Sequence, residues 1–421
     1  MKEHVRKARK KLLEKMDKHA VALIYAGKAP HKSLDQNYDY TPQRNFFYLT
    51  NISEPNMILM LLKGEKTNKE FLFIEENTDH KIKWEGASME KEDASKRAGI
   101  DEDAIFPLSK FDATFNQVMN YARSILGRPA KILYLDLYHP SVQKKPQSLI
   151  HAKTILAHYP ELQVQSLNEH LAYLRMFKSA AEIKQIQTAI DHTAKGLNTI
   201  LKNLKKRTHE YQLQADFLHE ITLSGSEGHA FDTIAASGKN ATILHYTANR
   251  DTLNQDDLIL FDLGALHENY AADISRTYPL SGVFQGRQKE IYEAVLSVNK
   301  ATIEMIKPGV TWKELNDFSK EMLAKKAKAL NIINDESQIT EVYYHSIGHF
   351  MGLDVHDVGL YDMPLKEGMV LTIEPGLYVK DEQIGVRIED DILVTKNGYK
   401  NLSKAIPKET KDIEAILKGS E

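Results

Sequence analysis

Acidic side chains set into apolar runs constrain this chain more than any other feature. Leu258–Leu263 reads LILFDL, a continuous apolar run of the kind found in strands buried on both faces. Asp262 interrupts it. A buried, unpaired carboxylate is strongly destabilising, so this residue needs a cation or strong donors. Asp273 follows between Ala272 and Ile274. A hairpin centred on His267-Glu268 would set Asp262 against Asp273, with Cβ atoms roughly 4.5–5.5 Å apart. Two like charges at that separation repel unless a proton or a metal lies between them. The plainer alternative is that one aspartate caps the turn and the other bonds Arg276.

Two further segments repeat the pattern. MVLTIEPGLYV puts Glu374 at the end of a strand-like run, where Pro375-Gly376 forces a turn. IGVRIEDDILVT puts Glu389 inside another run; alternation does not decide which of Glu389, Asp390 and Asp391 points inward, but it sets Arg387 and Glu389 on one face. HSIGHFMGLDVHD adds His345, His349 and His356 beside glycines that permit close approach. His345 and His349 are four apart, but Gly348 and Gly352 disfavour a regular helix there. His245 lies in another short apolar run, ILHYTANR. Four carboxylates with an imidazole make an oxygen-rich site suited to Mn²⁺, Co²⁺ or Zn²⁺. Two divalent cations would balance the four negative charges, and such a pair can lower the pKa of a shared water.

Composition narrows the chemistry further. There is no cysteine among the 421 residues, which removes disulfide frameworks, thiolate metal sites and cysteine nucleophiles. The net charge of −3 argues against a protein that coats nucleic acid. No run approaches the ~20 apolar residues of a membrane-spanning helix. The basic N-terminus is interrupted by Glu3, Glu14 and Asp17 and lacks a long apolar core, so a signal peptide is not expected. A soluble cytoplasmic protein is expected, with no membrane or nucleic-acid partner.

Two domains are expected, 1–170 and 171–421. In the first, Val21–Tyr25, Met57–Leu62, Glu70–Ile74 and Lys131–Leu135 read as short strands and Thr114–Leu126 as a helix, an α/β layer. In the second, Ser179 and Glu182 form a capping box that opens a long helix, with another helix from about His209. Thr311 and Glu314 form a second box after Pro308-Gly309. Helices are expected over Glu290–Ile306 and Trp312–Leu330, with strands between and after. The similar openings at Thr208 and Thr311 hint at a duplicated helix-plus-strand unit.

The series FDLGA…AADISRT, HSIGHFMGLDVHD, LTIEPGLY and GVRIEDDI resembles the pita-bread metallopeptidases, a group that includes aminopeptidase P, prolidase and methionine aminopeptidase. The resemblance is dense over about residues 170–410. DQNYDYTPQRNFFYLTNISEP resembles the N-terminal domain of aminopeptidase P and prolidase, and the whole looks most like bacterial aminopeptidase P. It implies an α+β chain, with a pita-bread catalytic domain after a smaller α/β domain.

The implied activity is hydrolysis of the Xaa-Pro bond at a peptide's N-terminus by a hydroxide bridging two divalent ions, Mn²⁺ before Co²⁺ or Zn²⁺. Asp262, Asp273, His349, Glu374 and Glu389 match the family's metal ligands, with Asp273 and Glu389 bridging. Glu374 also matches its proton-shuttling base. His245, His345 and His356 match substrate-side histidines, and Arg387 an arginine outside the ligand sphere. Asp35 and Trp84 match positions that line a neighbouring subunit's site, which implies a homodimer or homotetramer. The stretch between HDVGLYD and GMVLTIEP is shorter than in longer aminopeptidase P sequences and lacks an arginine often present there. This bears on chain-length selectivity, so an Xaa-Pro dipeptidase is the near alternative. A non-catalytic binding module is the remote one.

Overall fold

The computed structural model describes residues 1–138 and 146–419, and the chain divides into two compact units, Met1–Arg175 and Met176–Glu421. The first unit is built on a six-stranded mixed sheet: β1 (Ala20–Tyr25), β2 (Ile58–Lys63), β3 (Asn68–Ile74), β4 (Ile105–Pro107), β5 (Ile132–Leu135) and β6 (Gln163–Ser166), in the order β4-β3-β2-β1-β5-β6. The central strand β1 runs antiparallel to β2 and parallel to β5. Val21 and Leu23 pair with Leu62 and Met60 on one side and with Leu133 and Leu135 on the other. Period-two alternation puts these on one face, where Phe115 and Val118 of helix Phe111–Met119 join the same core.

That helix is shorter than the apolar spacing predicts. It stops at Met119, and Asn120 Oδ1 accepts from the backbone N–H groups of Ala122 and Arg123. An asparagine that binds the backbone just ahead of it competes with continuation of the helix.

The second unit opens with α1 (Ala180–Asn203), whose capping box pairs Ser179 with Glu182. It packs on α2 (Glu210–Leu223). A Cβ on Gly196 would meet the Phe217 ring at 2.4 Å, so only glycine permits that approach. Then come β7 (Ile234–Ser237), β8 (Leu258–Leu263), β9 (Leu266–His267), β10 (Tyr270–Ala271) and β11 (Ile274–Pro279). The strands β11-β8-β7 form an antiparallel sheet, and β9-β10 a small hairpin between them.

Two helices and an antiparallel three-stranded sheet then occur a second time. These are α3 (Gly286–Glu304), α4 (Trp312–Ala329) with its Thr311–Glu314 box, β12 (Val370–Ile373), β13 (Gly376–Val379), β14 (Ile384–Arg387), β15 (Asp390–Thr395) and β16 (Gly398–Asn401). The sheet order is β12-β15-β16, with β13-β14 as a separate pair. Met176, Trp312, Phe350, Leu371 and Ile392 lie in the core beneath it. No helix among the described residues is long and apolar enough to cross a membrane.

Candidate metal centre

The first pair of aspartates is set by a hairpin whose register differs from the expected one. Asp262 in β8 stands opposite Ser275 of β11, not opposite Asp273. The turn is centred on Glu268-Asn269, with φ of 48° and 62°. A two-residue turn with positive φ at both positions matches strand twist, and asparagine tolerates it well. Centring on His267-Glu268 would move every partner by two residues. Asp273 is therefore a diagonal neighbour of Asp262 on the same face. A Cβ on Gly264 would lie 1.8 Å from Ala272 O, so this crossing admits only glycine. Neither aspartate caps the turn or bonds Arg276. The Glu227 carboxylate takes the turn's N–H groups at 2.9 and 3.0 Å, and Arg276 pairs with Asp390.

His349 is placed by the edge of β12. Its segment is not helical. It runs antiparallel to β12, with Met351 N bonded to Val370 O, Thr372 N to His349 O, and Glu374 N to Ile347 O. This docking carries Glu374, at the end of β12, to the same place. His349 Nε2 lies 3.4 Å from Asp273 Oδ2 and 3.7 Å from Glu374 Oε1. Its Nδ1 faces Phe350 O at 3.1 Å. A carbonyl only accepts, so Nδ1 carries the proton and Nε2 presents a bare lone pair to the carboxylates.

Glu389 lies in a break between β14 and β15 rather than inside one strand. Its backbone N–H donates to Ser275 O, and its Oε2 accepts from Ser275 Oγ at 2.8 Å. The same Ser275 Oγ accepts from Arg387 Nε at 2.8 Å. Arg387 also donates to Asp262 Oδ2 at 2.6 Å and to Tyr378 OH at 3.0 Å. Tyr378 OH is 2.8 Å from His345 Nε2, whose Nδ1 faces Ser346 O at 2.8 Å. By the same reasoning His345 carries its proton on Nδ1 and accepts from Tyr378 at Nε2. Asp391 Oδ2 accepts from Asp273 N–H at 3.2 Å. Ser275 and Tyr378 lie outside the expected set, because a serine or tyrosine in a strand carries no local signal, whereas Asp391 is one of the three acids between which alternation does not choose.

One ligand atom from each of Asp273, His349 and Glu389 lies within 4.8 Å of the other two, and all three residues are buried. Glu374 joins this group through His349, and Asp262 is held against it through Arg387. The His356 ring meets the His349 ring edge-to-face at 4.2 Å. His345 Nδ1 is 3.8 Å from Glu374 Oε2. His245 is exposed, on the loop that follows β7. That loop hangs on the buried Glu210 of α2, whose carboxylate accepts from Ser237 N and Oγ, Asn240 Nδ2, Tyr246 OH and Asp251 N at 2.8–3.1 Å. Asp35 and Trp84 belong to the first unit. Asp35 sits at an exposed turn between two short strands, and Trp84 is 74% exposed and stacks on His80.

Desolvation, with the neighbouring acids, raises Asp273 and Glu374 well above the usual carboxylate range and Glu389 to about 8. Burial holds His345 and His349 down at about 4, so both are neutral. Asp262 Oδ1 is buried with no hydrogen-bond partner among the described residues. Four acids, an orphaned carboxylate oxygen and a bare imidazole lone pair converge, with Arg387 the cation that reaches among them. This donor set fits divalent cations, which would neutralise the acids and use the lone pair. The His349 Nδ1–H bond to a carbonyl is the usual way an imidazole ligand is oriented.

Comparison with known proteins gives the same answer. Residues 184–396 match Metallopeptidase family M24, and residues 5–126 match the aminopeptidase P N-terminal domain. The chain is 31% identical to the Xaa-Pro aminopeptidase of Haemophilus influenzae over 439 aligned positions, covering 99% of this chain and 97% of that one. A Bacillus anthracis structure, an aminopeptidase P candidate, superposes with a TM-score of 0.96 at 41% identity, covering 100% of this chain and 99% of the other. Zinc-substituted Escherichia coli aminopeptidase P with product superposes at 0.90 and 28% identity, covering 100% and 99%. The chain therefore belongs to metallopeptidase family M24, with an aminopeptidase P N-terminal domain ahead of its catalytic domain.

Proposed function

We propose that this chain is an Xaa-Pro aminopeptidase that works with two divalent metal ions, Mn²⁺ first among them, held by Asp262, Asp273, His349, Glu374 and Glu389. The observation that carries the reading is the bare Nε2 of His349, aimed at the buried carboxylate of Asp273 and the half-buried one of Glu374, 3.4 and 3.7 Å away. Lone pair and carboxylates repel unless a proton or a metal ion lies between them.

When bound, the ions supply Lewis acidity, which activates water and offsets charge that develops on the substrate carbonyl. The chain's own groups do the rest. Glu374 would take the proton that the attacking water gives up and pass it to the leaving proline nitrogen. His345, His356 and His245 line the substrate side. Ser346 O and Tyr378 OH engage the two nitrogens of His345, which fixes its tautomer and the orientation of its ring. Arg387 and Ser275 hold Asp262 and Glu389 in place. Asp35 and Trp84 are read as lining the site of a neighbouring copy in a homodimer or homotetramer, which suits a tryptophan left exposed. A cytoplasmic location belongs to the same reading.

The test is release of the N-terminal residue from an Xaa-Pro-Pro tripeptide after chelation and reloading with Mn²⁺, Co²⁺ or Zn²⁺. Turnover that returns with metal is expected. No turnover with any divalent ion overturns the reading, and turnover of Xaa-Pro dipeptides alone would reassign the chain as a prolidase.

A further inference from the structure

The two strand ladders beside the site stop short of each other. β12 pairs with β15 as far as Ile373 opposite Asp390, and β13 pairs with β14 from Gly376 opposite Arg387. Neither ladder includes Glu374, Pro375, Ile388 or Glu389. Proline has no N–H to extend a ladder through that point. The two ladders keep one register through this point, which sets Glu374 opposite Glu389, and the backbone joins them here by a single bond, Ile388 N–H to Pro375 O at 3.3 Å.

A buried side chain ties the same stretch together from α3. Asn299, fully buried on α3, donates from Nδ2 to Ile373 O at 3.2 Å and to Ile388 O at 3.0 Å. Each carbonyl belongs to the residue immediately before one of the glutamates. The orientation of the amide is settled by Lys408, whose Nζ lies 2.7 Å from Asn299 Oδ1. An ammonium only donates, so that atom is the oxygen and the NH₂ faces the two carbonyls. Lys408 is fixed in turn by Asp390, which Arg276 grips at 2.9 Å. The two hydrogens of a planar amide leave little freedom in the separation of the groups they bind.

We infer that Asn299 is a positioning residue that sets the spacing of Glu374 and Glu389, and through it the affinity of the site for its second metal ion. This rests on the metal-centre reading above. Asn299 touches neither metal nor substrate in this role, and it acts through two backbone carbonyls.

The experiment is calorimetric titration of the metal-stripped full chain with MnCl₂, paired with thermal melts of the metal-free protein. The variants are Asn299→Leu, which keeps the γ-branched shape and removes every hydrogen bond, and Asn299→Asp, which keeps the acceptor for Lys408 and loses both donations. Outer partners of metal ligands typically change metal affinity about 10–100-fold. We expect about ten-fold or greater weakening of Mn²⁺ binding at one of two sites in either variant that folds. A side chain that only stabilises the fold would lower the melting temperature of the metal-free protein and leave Mn²⁺ affinity at the wild-type value, and that result overturns the inference. Wild-type protein that binds no Mn²⁺ would overturn the metal-centre reading instead.

Discussion

Arg387 Nη2 donates to Asp262 Oδ2 at 2.6 Å, while the other oxygen of the same carboxylate, Oδ1, is buried with no partner among the described residues. The arginine thus orients the aspartate and leaves one oxygen for a cation. Arg387 also holds Ser275 Oγ and Tyr378 OH, so one guanidinium ties a candidate ligand to the His345 side of the site. Arg387→Met should lower kcat/KM about 10–100-fold. Arg387→Lys should recover little of this, since a single ammonium cannot serve three partners in a fixed fork. Steady-state kinetics checks this, and a wild-type kcat/KM for Arg387→Met would sink it.

The buried acids make metal-free stability depend on pH. Glu389 is raised from 4.5 to about 8. Its contribution is fully present below about pH 4.5 and is lost as pH rises through 8, because the folded state holds a proton that the unfolded state has released. His349, lowered from 6.5 to about 4, acts the other way, and its contribution is lost as pH falls below 6.5. Between pH 6.5 and 8 the carboxylate effect stands alone of the two. The metal-free melting temperature should fall across that interval. The rise produced by Mn²⁺ should grow, because protons compete with the cation for the same oxygens. A Mn²⁺-induced rise that stays constant over the interval would contradict this.

Glu210 organises the loop that carries His245 by accepting five hydrogen bonds. In Glu210→Gln the amide NH₂ would replace the oxygen that faces Tyr246 OH and Asp251 N–H. The tyrosine hydroxyl can turn, but the backbone N–H is stranded, at a cost of ~1–3 kcal/mol. We expect a lower melting temperature and a several-fold higher KM, with Mn²⁺ content unchanged. Thermal melts, kinetics and metal analysis separate these, and an unaltered KM would show that the loop does not depend on this carboxylate.

Gly348 is where the His349 segment meets β12. A Cβ there would lie 2.0 Å from Thr372 O and 2.8 Å from Thr372 C, both backbone atoms that cannot rotate away. Gly348→Ala must lift the segment off the strand edge and take His349 with it. We expect a marked loss of Mn²⁺ affinity together with a lower melting temperature. Wild-type affinity in a folded Gly348→Ala protein would rule out this account of how His349 is held.

The chemistry of the site was legible in the amino-acid sequence because it breaks a local rule. Asp262, Asp273, Glu374 and Glu389 are acids in apolar surroundings, and that anomaly can be seen within ten residues of each. The capping boxes at Ser179 and Thr311 were legible for the same reason, since their partners are three residues away. What only the tertiary structure decided is how these groups face one another. The hairpin register turned on which two residues took positive φ, a difference of one position. Asn299 sits in an ordinary helical pattern, and its meaning comes from carbonyls 74 and 89 residues away in sequence. Glu210 likewise looks like a surface acid at the start of a helix until the loop at 237–251 folds onto it. A local anomaly in burial or charge is written in neighbouring residues, whereas a hydrogen bond across the fold requires the chain to close first. That is why the candidate acids and Arg387 stood out in the sequence, whereas Ser275, Tyr378 and Asn299 took on meaning only once the chain had folded.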